Sequence, residues 1–155
     1  LSDEAMLDDK VDNLLLAVSQ HQQLYGIAYL DLSTGRFRVL EISGEEALTG
    51  ELHRLDPAET LYHESIYHPA ITGRRGARSQ PAWEFDAQSA RRALNSQFQT
   101  HDLQGFGCDS LDLAIGAAGA YSSDRRCAVR WHRLSSSEAL STPEPFLTRV
   151  VMAMK

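Results

Sequence analysis

The sequence predicts a single α/β domain in which helices cover a β-sheet. Two runs with strand-like alternation, 24–32 and 36–42, flank a Ser-Thr-Gly break, which is typical of a β-hairpin. A helical pattern and a short strand pattern follow the hairpin, an order that indicates a layered α/β domain. The length of 155 residues suits one domain with its own core, and 43% apolar residues are ordinary for a globular chain.

The charge and the cysteines of the chain exclude several classes of protein. A net charge of −6 argues against a domain that binds the DNA backbone on its own, because such domains are usually basic. Cys108 and Cys127 form no Cys-x-x-Cys pair, so neither a zinc site nor a redox motif is indicated, and a reducing cytosol is the expected setting. The acidic N-terminus lacks the pattern of a signal peptide, and its missing initiator Met indicates a piece of a longer chain.

The first stretch, residues 2–21, is predicted to be an amphipathic helix. Ser2 is suited to its N-cap, and Asp3 and Glu4 favour the positive end of a helix. Its apolar residues recur at helical spacing, namely Met6, Leu7, Val11, Leu14, Leu15 and Val18.

The hairpin is predicted next. Both faces of the first strand are apolar, as in a sheet that is covered on both sides. Gly35 can adopt the positive φ that a tight turn requires. Asp31, just before the turn, is interpreted as a residue that bonds to turn amides.

A helix over 44–55 and a strand over 59–65 follow. Ser43 and Glu46 are predicted to form a capping box, and Pro57 lies just past the expected helix end. The predicted buried stripe of the helix consists of Ala47, Leu48, Leu52 and Leu55.

The segment 69–85 is predicted to be a loop because of its Gly and Pro content. Its basic residues are Arg74, Arg75 and Arg78, which are interpreted either as a contact for an acidic partner or phosphate, or as a solvated loop. Trp83 and Phe85 are predicted to anchor the end of this loop on the core.

Two helices are predicted in the second half of the chain. The first follows an Asp86 cap over 86–98, with Ala90, Ala93, Leu94 and Phe98 on one face and Arg91, Arg92 and Asn95 outward. The second, near 111–120, is rich in small residues and is predicted to pack closely against a neighbour. From Tyr121 onward the periodicity is lost, and no structure is predicted.

One candidate for chemistry is a two-metal nuclease, which needs three or four carboxylates around its cations. Asp31, Glu45 or Glu46, and Glu64 follow the right order of strand, helix and strand. However, Asp31 is explained by its turn, and the two helix acids are explained by capping. We therefore keep a free-standing metal-dependent nuclease only as the alternative function.

No other motif predicts an enzyme. The six histidines show no HExxH or similar ligand spacing, so no metal site is expected. The stretch GRRGARS lacks the Gly-Lys-Ser/Thr ending of a phosphate-binding loop, and no Gly-x-Ser-x-Gly nucleophile elbow is present. The sequence predicts a chain without catalytic, cofactor-binding or metal-binding residues.

Five stretches, taken in order, resemble the MutS family of bacterial DNA mismatch-repair proteins. They are SDEAMLDDKVDNLLLAV, YGIAYLDLSTGRFRV, ELHRLDPAETLYHES, GRRGARSQPAWEFD and ALNSQFQTHDLQGFGCD. They match the connector domain of that family, domain II, and the segment that enters it. The resemblance runs from about Ser2 to Gly119. It implies a helical lead-in over 1–22, a connector domain over 23–120 and a divergent tail over 121–155.

The resemblance implies a ribonuclease H-like mixed sheet with flanking helices, without the catalytic carboxylates of that fold. It implies a module that joins mismatch recognition to the ATPase core and presents a surface to MutL. Other MutS domains, a second MutS subunit and mismatched DNA would be met through the full-length protein. ATP and Mg²⁺ would bind to the absent ATPase domain, and this piece would hold no cofactor. The implied location is the bacterial cytoplasm at the nucleoid, without a membrane.

The surface that faces MutL in the family includes the helix that matches SARRALNSQF. The positions carried over are Arg91, Arg92 and Ala93. Members of the family have polar residues at the central positions, and Ala93 departs from that pattern. Without the resemblance, Arg92 is interpreted either as a contact for a partner or as part of a solvated helix face.

The tail departs from the family after AIGAAG. The family continues with an apolar helix that contains Cys-Leu-Leu-Gln, whereas this chain has AYSSDRRCAV. Codons for residues 119–123 can be chosen so that a one-base shift reads Cys-Leu-Leu-Gln. We therefore hypothesise a frameshift near Gly119, which the DNA sequence of the gene can test.

Overall fold

The computed structural model describes residues 14–31, 36–98, 101, 110–123 and 147–151. The strands are β1 (Leu14–His21), β2 (Leu24–Asp31), β3 (Arg36–Ser43), β4 (Glu59–His63), β5 (Ala77–Gln80) and β6 (Leu147–Val151). The helices are α1 (Glu45–Leu55), α2 (Pro69–Thr72), α3 (Ala87–Phe98) and α4 (Asp112–Ser123), with a 3₁₀ turn at Ala82–Phe85.

The strands form one mixed sheet in the order β5-β4-β1-β2-β3-β6. The first three strands pair antiparallel as a meander, whereas β4, β5 and β6 each lie parallel to their neighbour. The predicted hairpin is confirmed, with Asp31 paired to Arg36 at its closed end. The predicted turn, including Gly35, lies outside the described residues.

The helix predicted over 2–21 is wrong for residues 14–21, which form the central strand β1. Leu15 and Ala17 enter the core on one face of the sheet, and Leu16 and Val18 enter the core on the other. A short run that is apolar at every position fits a strand buried on both faces as well as a helix, so the apolar spacing alone could not distinguish the two. Residues 1–13, with the predicted Ser2 cap, lie outside the described part.

Helix α1 begins differently from the prediction. Its N-cap is Gly44, at φ 93°, so Ser43 is not the N-cap residue that the predicted capping box requires. Ser43 is instead the last residue of β3, where it pairs with Leu24. The predicted stripe is confirmed by the buried side chains of Leu48 and Leu52 and by the packing of Ala47 and Leu55 beside them.

The predicted loop over 69–85 contains α2, β5 and the 3₁₀ turn, so the loop prediction is wrong there. Pro69 is the first residue of α2, and Gly76, at φ 80°, precedes β5. Gly and Pro therefore mark the ends of short elements in this segment.

Helices cover both faces of the sheet, so the α/β prediction is confirmed. One core joins β1–β4 to the 3₁₀ turn, α3 and α4; the other joins the sheet to α1 and α2. Helix α4 lies so close to its neighbours that a Cβ on Gly116 would come within 2.4 Å of the Phe85 carbonyl oxygen. The predicted close packing of this helix is confirmed. The divergence of the tail from Tyr121 onward stays a prediction. Within that tail, the structure describes the end of α4, which reaches Ser123, and strand β6.

Candidate partner-binding site

Helix α3 positions the three predicted contact residues. Asp86 precedes the helix, and its carboxylate accepts a hydrogen bond from the Ser89 amide at 2.8 Å, which confirms the predicted cap. This bond, a second one from the Ser89 side chain and the nearby charge of Arg92 lower the pKa of Asp86. Ala90 and Leu94 are buried, so α3 is fixed to the core by its inner face.

Arg91 is occupied within the molecule. Its guanidinium forms an ion pair with Asp112 in the first turn of α4, and its side chain is 28% exposed. The acid at the positive end of α4 suits the helix dipole, and the pair ties the two helices together. Arg91 therefore serves to connect α3 with α4, and its guanidinium is less accessible to a partner than an exposed arginine would be.

Arg92 and Ala93 lie side by side on the exposed face of α3. The Arg92 Nη2 atom donates to the Ser89 hydroxyl at 3.4 Å, a long and solvent-exposed bond. Ala93 was also predicted to share the buried face of the helix, and that part of the prediction is wrong. The side chain of Phe98 lies outside the described residues. Of the three predicted positions, Arg92 and Ala93 share an accessible surface.

Trp83 is an exposed residue that the sequence placed in the core. Its side chain is 73% exposed, whereas Phe85 is 8% exposed and joins the core as predicted. A 3₁₀ turn has about three residues per turn, so side chains two apart point roughly 120° away from each other, and here Phe85 alone of the two is buried. Pro81, the N-cap residue of this turn, lies two residues before Trp83 and is the available sequence signal that a turn begins there.

The predicted basic patch is largely neutralised within the chain. Arg74 pairs with Asp56 at 2.7 Å, and Arg78 lies 3.5 Å from Glu59. Arg75 is exposed. Two of the three arginines therefore form ion pairs that connect this segment to residues 56–59.

The carboxylates of the alternative nuclease lie at opposite ends of the sheet. Asp31 pairs with Leu14 at the start of β1, whereas Glu45 follows β3 beyond Ser43, which pairs with Leu24 at the other end of β2. The length of β2 separates these ends by roughly 24 Å at about 3.4 Å per residue. Glu64 directly follows β4, near the far end, where it accepts a hydrogen bond from the Ala82 amide at 2.6 Å.

The histidines nearest to these acids have local roles. His63 accepts a hydrogen bond from the Ser65 amide, and His68 caps α2 by accepting one from the Ala70 amide, both through Nδ1 at 3.0 Å. Within the ranges that the structure describes, no group of three or more His, Cys, Asp or Glu side chains could hold a metal ion.

Glu41 is a structural carboxylate that the sequence did not indicate. It lies in β3, and its Oε2 accepts hydrogen bonds from the Leu113 amide at 3.0 Å and the Ala114 amide at 3.3 Å. These amides belong to the first turn of α4, so Glu41 caps a helix that lies more than 70 residues further along the chain. Burial raises the pKa of Glu41 despite these two bonds.

Among the described helices, none is both long and apolar enough to span a membrane. In a comparison with family models, residues 13–122 match MutS domain II. The match covers more than half of the chain and extends from the residue before β1 to the last turn of α4.

Proposed function

The chain belongs to the MutS domain II family, and from this premise we propose that it is a connector module of a DNA mismatch-repair protein. In this role it links a mismatch-recognition domain to an ATPase core and offers the outer face of α3 to a MutL-like protein. Other MutS domains, a second MutS subunit and mismatched DNA are met through the longer protein.

One observation carries the proposed docking surface. Arg92 and Ala93 are exposed next to each other on a helix whose other face is fixed by buried residues. A rigid helix face loses little conformational entropy when a partner binds. The guanidinium suits an acidic partner, and the small Ala93 side chain lets that partner approach the helix closely.

We further propose that the module has no catalytic activity and binds no ATP or Mg²⁺ of its own. The support is the separation of Asp31 from Glu45 and Glu64 at the two ends of the sheet. The central strand β1, with the sequence LLLAVSQH, contains no carboxylate. No observation favours the nuclease as a second function.

The proposal predicts that Arg92→Glu weakens binding to purified MutL at least about tenfold, because like charges would then face each other across the contact. Biolayer interferometry with the immobilised chain measures the affinity. Arg75→Glu is the matched control, since it makes the same charge change at another exposed site. Equal affinities for the two variants, or no binding by the wild type, would contradict the proposal.

A further inference from the structure

The exposed indole of Trp83 stands at the entrance to α3. Of the described large apolar side chains, Tyr67 and Trp83 are the exposed ones, at 84% and 73%. An indole left in water is a large unburied apolar surface, and Trp is among the residues most enriched at the energetic centres of protein interfaces.

The backbone that carries Trp83 is held rigidly. The Ala82 amide donates to the Glu64 carboxylate at 2.6 Å, and the Glu84 amide donates to the Pro81 carbonyl at 3.1 Å. Phe85, two residues on, is buried in the core against Gly116 of α4. The indole is therefore presented from a fixed turn, which reduces the entropy that binding would cost.

A chain of hydrogen bonds connects Trp83 to the proposed docking face. The Trp83 carbonyl accepts from the Asp86 amide at 3.4 Å, and the Asp86 carboxylate accepts from the Ser89 amide. The Ser89 hydroxyl in turn accepts from the Arg92 guanidinium. Trp83, Asp86, Ser89 and Arg92 are all exposed, and we call this hydrogen-bonded run of residues the ridge. It has an apolar group at its start and a cation further along α3.

We propose that Trp83 is the apolar anchor of the α3 docking surface and inserts into an apolar pocket of the MutL-like partner that is bordered by acidic side chains. This inference rests on the proposed function and deepens it. The cation on the ridge favours an acidic rim on the partner. The net charge of −6 disfavours a second copy of the chain, since two such copies repel each other.

The test measures the affinity of the whole chain for purified MutL with Trp83→Ala and with Tyr67→Ala. We expect Trp83→Ala to raise the Kd about 30-fold or more, as removal of an anchoring Trp does. We expect Tyr67→Ala, which removes an aromatic ring of similar exposure that is not on the ridge, to change the Kd less than twofold. Trp83→Phe should recover part of the affinity, and circular dichroism should show that each variant remains folded.

A second measurement reports on the indole directly. In a Trp131→Phe background, Trp83 is the one remaining tryptophan. Its fluorescence emission should shift to shorter wavelength and become less accessible to acrylamide when MutL is added. Unchanged fluorescence in a bound complex would overturn the inference.

The outcomes separate the two proposals. Binding that is weakened by Arg92→Glu but not by Trp83→Ala overturns the anchor and leaves the docking surface in place. No binding by the folded wild type overturns both proposals. Self-association of the wild type that Trp83→Ala abolishes would assign the indole to a second copy and overturn the anchor.

Discussion

Single residues carry long-range contacts in this domain, and Glu41 is the clearest case. Its carboxylate joins β3 to the start of α4 through two amide hydrogen bonds. Burial raises its pKa above the ordinary value of 4.5, which means that burial disfavours the charge more than the two bonds favour it. A neutral side chain that keeps the acceptor should therefore serve equally well.

Glu41→Gln is predicted to keep the free energy of unfolding at pH 7 within about 0.5 kcal/mol of the wild-type value, or to raise it. Glu41→Ala should lower the free energy of unfolding by about 1 kcal/mol, because the cap is lost.

The stabilisation by Glu41 should also depend on pH. Because its folded pKa is raised, this stabilisation is fully present below pH 4.5 and is lost as the pH rises through the folded pKa. Glu41→Gln should remove this decline. Urea unfolding across pH 4 to 8 measures both effects, and an equal loss in the two variants would contradict the account.

The residue scale also shows what the sequence could not reveal. The role of Glu41 depends on a partner more than 70 residues away, and a scan of local periodicity cannot detect such a contact. By contrast, Asp86 was predicted as a cap because its partner, Ser89, is three residues away. Trp83 was wrongly placed on the core together with Phe85 because this segment was predicted as a loop, and the 3₁₀ turn that directs the two side chains differently was not predicted.

The elements whose apolar period was distinct could be predicted from the sequence. Strand β3 alternates with period two after the Ser-Thr-Gly break, and α1 and α3 follow the helical period. The first five residues of β1 are all apolar, so their pattern fits a helix as well as a strand. Backbone pairing with β2 and β4 makes this segment a strand. The short elements between 69 and 85 were missed because pieces of four residues hold too few positions to show a period.

Helix α4 depends on glycine for its close packing. Gly116→Ala is predicted to lower the free energy of unfolding by about 1–3 kcal/mol, because the added Cβ would meet the Phe85 backbone at 2.4 Å. Gly50→Ala is the matched control within α1, where a Cβ meets nothing within 4 Å. There the change should raise the free energy of unfolding by about 0.5–1 kcal/mol, since Ala favours the helix. Chemical denaturation measures both, and a stabilising Gly116→Ala would refute the packing described for α4.

At the scale of the whole molecule, the two faces of the sheet have different surroundings. The face that carries α3 and α4 includes the proposed docking ridge, and the other face is covered by α1 and α2. The α/β fold class followed from the order of the elements, but the surface for a partner came from the resemblance to a family. The sequence pattern alone could not decide whether Arg92 contacts a partner or belongs to a solvated helix face, because the exposure of a cation does not reveal what binds it.

The central claim is that a MutL-like protein docks on the outer face of α3. The most direct test is to map amide chemical shifts of the ¹⁵N-labelled chain by nuclear magnetic resonance while purified MutL is added. The account predicts that the largest changes fall between Trp83 and Ser96, with the exposed residues of α1 and α2 little affected. Changes centred on α1 and α2, or no change at saturating MutL, would contradict it.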